Sequence, residues 1–265
     1  MNRRVTAALL ACLFLAAACR HPSAPPTGGP TADGTPAVEA RADAILLRMS
    51  EFLATKQVLT VQAERTEERV RYSGQKVEFT TEVSAAIRRP GHLLARQSGL
   101  GIDLQSAIHP GQITIYRPGS QEVARVQGPD SIDAAFDLLD KEYGVGIAML
   151  DLLVSDPYAS AKRTMRTGEY IGLERIGGVA CHHLAFTAAG LDWELWVDAG
   201  AEPVPRKLKI VYRESVGVPS LCVRDLRWTF PATLADESLE LAVPAGAKET
   251  TPEKLLRVDE PGAGS

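Results

Sequence analysis

The sequence has no block of five or more lysines and arginines, and its formal net charge is −4. Nucleic-acid binding needs a clustered basic footprint, so DNA and RNA are excluded as expected partners. There is no Gly-x-Ser-x-Gly elbow, no His-Glu-x-x-His pair and no glycine-rich phosphate loop. The familiar hydrolase, metalloprotease and nucleotide-binding signatures are thereby missing. Long apolar runs are lacking too. The stretch Val5 to Ala18 would span only ~21 Å as a helix, short of a ~30 Å bilayer core, so it makes a poor permanent membrane span.

What stands at the N-terminus has a different logic. Asn2, Arg3 and Arg4 precede the apolar run, which ends at Cys19 and turns abruptly polar. That order is n-region, h-region and cleavage site, so residues 1–18 read as a signal peptide. Leu15-Ala16-Ala17-Ala18-Cys19 resembles the lipobox of bacterial lipoproteins, which implies lipidation of Cys19. Cleavage without lipidation and modification of Cys12 are the alternatives; too few apolar residues precede Cys12 to favour it. Residues 19–35 are rich in proline and glycine and show no periodicity. They read as a lipidated cysteine and flexible tether, with two or three acyl chains holding the protein to a membrane. By resemblance to enterobacterial sorting, Arg20 after the cysteine implies the outer membrane.

Residues 36–258 are long enough for one domain with its own core, and 259–265 read as a disordered tail. Two of the four cysteines fall in the signal region, leaving Cys181 and Cys222 in the domain. Three turns lie between them. A meander would hold their strands about 14 Å apart, beyond the ~7 Å that a disulfide spans, so free thiols are expected.

The periodicity predicts a helix over Pro36 to Lys56, with Val38, Ala42, Ile45, Met49, Phe52 and Leu53 on one face. Alternation then predicts strands from Val58, at Val77 to Val83, at Leu93 to Gln97, at Gln112 to Tyr116 and at Glu122 to Gln127. Asp130 or Ser131 can cap a helix whose stripe is Ile132, Phe136, Leu139 and Tyr143, and Asp156-Pro157 starts another. Glu169 to Ile176, Val179 to Ala188, Leu191 to Val197, Pro203 to Glu214 and Leu221 to Phe230 read as an antiparallel meander, with a last short strand at Leu239 to Val243. The fold class that follows is α+β, a large antiparallel sheet with segregated helices.

Five segments carry a resemblance: Arg88-Arg89-Pro90-Gly91-His92-Leu93, Ser155-Asp156-Pro157-Tyr158, Gly178 to Phe186, Asp192 to Val197 and Pro205-Arg206-Lys207-Leu208. In that order they resemble a family of predicted periplasmic proteins, similar in turn to the LolA/LolB/RseB-like superfamily of lipoprotein localisation factors. The resemblance implies a curved, open half-barrel whose concave face is covered by helices. Tyr116-Arg117-Pro118 and the stretch from Gly99 to Ile108 depart from the family pattern. No residue roles come with the resemblance, and fold alone does not fix function.

The expected ligand-cavity lining is Phe79, Phe136, Leu139, Leu184, Phe186, Trp193 and Leu195. Trp196 shares a face with Glu194 and Asp198 and is the candidate surface contact, unless its own chain covers it. His182 and His183 are adjacent on a strand and point to opposite faces, so they cannot share a metal; no metal, catalytic residue or cofactor is expected. The reading is a non-enzymatic envelope lipoprotein that binds an acyl chain, lipid or lipidated protein. An envelope protein-interaction or stress-sensor role of RseB type is the alternative, and an enzyme without familiar motifs comes third.

Overall fold

A computed structural model describes residues 37–100, 102–143 and 150–256. The expected signal peptide, Cys19, the tether and the C-terminal tail lie outside the described residues.

Two meanders make one open sheet. The first comprises β1 (Val58–Val70), β2 (Lys76–Arg88), β3 (His92–Gly99), β4 (Ile102–His109), β5 (Gln112–Arg117) and β6 (Glu122–Gln127). The second comprises β7 (Thr167–Ile176), β8 (Val179–Thr187), β9 (Leu191–Asp198), β10 (Pro205–Tyr212) and β11 (Ser220–Thr229). They join where β11, the last strand of the second, pairs antiparallel with β1, the first strand of the first. A two-residue strand, β12 (Lys248–Glu249), runs parallel to β6 at one edge. The order is β12-β6-β5-β4-β3-β2-β1-β11-β10-β9-β8-β7, and the two outer strands do not meet. Both edges are blunted: Arg125 pairs with Glu249 at β12, and Val38 bridges Gly168 on β7.

Helices cover one face. The chain leaves the Val38 bridge into α1 (Ala40–Ala54), which buries Ala42, Leu46, Met49 and Leu53, and each of the last three contributes about 1.5–3 kcal/mol. Between the meanders come α2 (Ile132–Tyr143) and α3 (Pro157–Thr164), and α4 (Pro252–Leu256) closes the described chain. Buried residues of α1, α2 and α4 belong to the same core as alternate residues of the strands. This is the expected α+β class: an open, mostly antiparallel sheet with helices on one side.

The family-like segments have local physical reasons. A Cβ on Gly91 would stand 2.4 Å from the Asp130 carbonyl oxygen, so only glycine lets the β2–β3 turn pass under the start of α2. Asp156 caps α3 by accepting from the Ala159 amide at 2.9 Å. The Tyr158 hydroxyl donates to Asp43 at 2.9 Å and the Tyr158 amide to Ser50 Oγ at 2.9 Å, fastening α3 to α1. Arg206 forks onto Asp198 through Nε at 3.1 Å and Nη2 at 2.7 Å.

Three expectations are corrected. The stretch Gly99 to Ile108, where no strand is expected, holds most of β4 (Ile102–His109). Residues Leu239 to Val243 form no strand. Only Leu239 of that segment is buried, and Asp236 just before it pairs with Arg88, at the β2–β3 end where both neighbouring strands are already paired. The first helix starts at Ala40 rather than Pro36, because Val38 is held in the bridge to Gly168. Cys181 and Cys222 are free, on strands separated by β9 and β10.

Candidate functional site

Three neighbouring strands place small side chains side by side. In register, Ala85 of β2 faces Ala95 of β3, and Ala95 faces Ser106 of β4. One row on, Ile87, Leu93, Ile108 and Ile113 lie abreast and are fully buried. In the opposite direction come Val83, Gln97 and Leu104. The small middle row leaves a depression in the sheet. Phe136 and Leu139 of α2, with Leu153 and Leu256, roof it, and the resulting cavity measures about 90 Å³.

The roof is fixed at one end. Ser131 Oγ accepts from the Ala134 amide at 3.3 Å, making Ser131 the cap of α2. The Ile132 amide donates to the Pro90 carbonyl at 2.8 Å, and the Asp133 carboxylate accepts from the Ser155 amide at 3.0 Å. Past this first turn α2 meets the sheet through side chains, Phe136 and Leu139 among them. The departure at Arg117 has a role here: its guanidinium donates to the Leu255 carbonyl, which holds α4 beside the cavity.

Of the residues expected to line a cavity, the structure brings Phe136 and Leu139 together at the roof. Leu184, Phe186 and Leu195 are packed core on the other half of the sheet, where α1 contacts β7 and β9. Trp193 is half-buried and stacks on Phe186 with centroids 4.0 Å apart. Phe79 lies on β2 beneath the Arg69 guanidinium, 4.4 Å from its ring centroid. Trp196 is not a surface contact: it is 3% exposed. It does face away from the helices, but cross-strand neighbours cover it. His183 stacks on it at 4.1 Å, Lys207 lies over it at 3.9 Å, and its indole donates to Glu174 at 2.7 Å. Residues missed from sequence are the small ones, Ala85, Ala95 and Ser106. Their signal exists only in the register of three strands.

The adjacent histidines separate as expected. His182, on the helix-covered face, lies 3.3 Å from the Tyr170 hydroxyl through Nδ1; burial, then Arg48 and Arg41, lower its pKa and favour the neutral ring. On the outer face His183 sits between Glu174, 2.7 Å from Nδ1, and Glu194, 2.9 Å from Nε2. Those carboxylates lie on opposite sides of the ring. Among the described residues no group of three or more His, Cys, Asp or Glu side chains is placed to hold a metal.

Fold and cavity together define an α+β protein of the open-sheet, helix-roofed class. Within that class, the chain belongs to a family of predicted periplasmic proteins (DUF2092), whose model matches residues 42–251. No curated protein matches it in sequence. Among solved structures it is similar to an uncharacterized conserved protein from Thermus thermophilus, at 15% identity and a TM-score of 0.45, covering 80% of this chain and 99% of that one. MucB, solved in complex with MucA, is similar at 15% identity and a TM-score of 0.41, over 76% of this chain and 60% of MucB. A LolA superfamily protein from Nitrosomonas europaea is similar at 11% identity and a TM-score of 0.33, over 76% and 97%. This chain thus spans less than two thirds of MucB's length.

Proposed function

We propose that this is a non-enzymatic envelope lipoprotein, anchored through Cys19, that takes an apolar chain from a lipid or lipidated protein under α2. One observation carries the reading: an apolar cavity of about 90 Å³ has small side chains of three neighbouring strands in its floor. Protein interiors are close-packed, and a mostly apolar concavity with few polar groups is the usual form of a ligand site. The volume is below the ~150 Å³ of a dry cavity that holds benzene. An acyl chain therefore enters only as α2 lifts, with the first turn, held by Pro90 and Ser155, as its fixed end.

A fluorescent fatty acid tests this. The wild-type protein should bind it at micromolar concentration, and Phe136→Ala should change that affinity more than it lowers stability. If Phe136 were plain core, its truncation would cost about 3–5 kcal/mol with no binding to lose. No binding by the wild type sinks the reading.

A second observation favours a protein-interaction role of the RseB type in that case. Tyr72, Leu100, Val216 and Val218 are exposed apolar side chains. They sit at the β1–β2, β3–β4 and β10–β11 turns, on the same end of the sheet, and exposed apolar clusters mark docking surfaces.

A further inference from the structure

Beyond the small row, the helix-covered face of the sheet turns polar. Arg65 of β1 and Thr81 of β2 lie in register, one row past Val83 and Gln97. Gln97 Nε2 donates to Thr81 Oγ1 at 3.3 Å, and that hydroxyl donates to the Arg65 carbonyl at 3.3 Å. Arg65 is also part of the cavity wall. Its Nη2 meets Glu67 at 2.7 Å, yet its Nε is buried with no hydrogen-bond partner among the described residues. The same is true of Nη1 of Arg69, whose Nε is 3.8 Å from the other oxygen of Glu67. Two guanidiniums thus share one carboxylate, and both keep a buried donor unused. Buried guanidinium donors are normally satisfied, and the planar fork matches a carboxylate or phosphate.

Distances along the strands fit one kind of molecule. From the Arg65–Thr81 row to the Ile87–Leu93 row is six residues of β2, about 20 Å. An acyl chain is roughly 15 Å long, half of a ~30 Å bilayer core. We infer that the ligand is a single-chain amphiphile with an anionic head, its tail under α2 and its head on Arg65, with Arg69 adding charge. This rests on the reading of the cavity as an apolar-ligand site.

The test titrates the full chain with cis-parinaric acid and with its methyl ester, following probe fluorescence. Wild type should bind the acid at least tenfold more tightly than the ester. Arg65→Gln should bring the acid down to the ester's affinity and leave the ester unchanged, with Arg65→Lys in between. Because Arg65→Gln can also perturb β1, salt dependence of the wild type gives an independent readout: added salt should weaken the acid and spare the ester. Equal affinities for acid and ester in the wild type overturn the inference while keeping the cavity reading; failure of both to bind removes the cavity reading itself. Competition identifies the head group. Displacement by dodecanoate supports a carboxylate and displacement by lysophosphatidate a phosphate, whereas equal displacement by a neutral monoacylglycerol counts against an anionic site.

Discussion

Replacing Ala95 by leucine puts three more carbons into the space beneath α2, from the middle strand of the small row. Ala85 and Ser106 flank it in register, so little stands in the way on the sheet itself. Burying three methylene equivalents is worth up to about 2.4 kcal/mol. An independent route gives the same size: at ~24 cal/mol per Å³, a void of about 90 Å³ corresponds to roughly 2 kcal/mol. For a domain of this length that is a rise in Tm of about 4–8 °C, less whatever strain the branched end meets against Phe136. Calorimetry and probe titration on the same preparation read both effects. Ala95→Leu should hold or raise Tm and abolish binding of the fluorescent fatty acid. A fall of more than about 5 °C would mean that the row is not bordered by usable space. A raised Tm with unchanged binding would put the ligand elsewhere.

Cys19→Ala should move the protein from the membrane to the soluble periplasmic fraction without blocking export; a variant still membrane-bound after a salt wash refutes the lipid anchor. Alkylation of the unfolded, unreduced protein should label both Cys181 and Cys222, since their strands are separated by two others; a single disulfide-linked peptide contradicts that order. In the native state both should alkylate slowly near neutral pH, because burial pushes each thiol pKa up. Glu68 accepts from the Ser220 hydroxyl at 2.8 Å and its amide at 2.7 Å, with Lys76 nearby, and these lower its pKa against the opposing effect of burial. A lowered carboxyl pKa stabilises the fold above the ordinary value of about 4.3 and loses that contribution as pH falls through the lower folded value. Chemical denaturation of Glu68→Gln between pH 7 and pH 3 should therefore show a shallower acid decline than wild type, and parallel curves would refute the linkage.

Alternation and turn chemistry made most of this sheet legible in the sequence. Val77 to Val83 alternates cleanly, and the α2 stripe from Ile132 to Tyr143 falls on the observed helix. β4 hid because its helix-facing residues, Leu104, Ser106 and Ile108, are interrupted by the serine. That interruption is part of the cavity floor. Large apolar residues such as Phe186 and Leu195 read in the sequence as a lining, but large residues fill space and small ones leave it. Which small residues lie abreast depends on pairing between strands, and no single strand displays it. Trp196 shows the same limit: Glu194 and Asp198 beside it in the chain point to solvent, whereas its own chain covers it from β8 and β10.

The seam between β1 and β11 has a consequence in time. Arg224 Nε meets Glu64 at 2.6 Å across a sequence separation of 160 residues. At the ~5–20 residues per second of synthesis, the second partner of β1 arrives about 8–30 s after β1 itself. Throughout that interval β1 is an edge strand, the kind that recruits stray chains. Its second half, Glu64-Arg65-Thr66-Glu67-Glu68-Arg69, carries five charges in six residues, and such an edge pairs poorly with a neighbouring chain. Arginines and glutamates that later flank a cavity and tie down a seam thus serve first as a guard on an unfinished sheet.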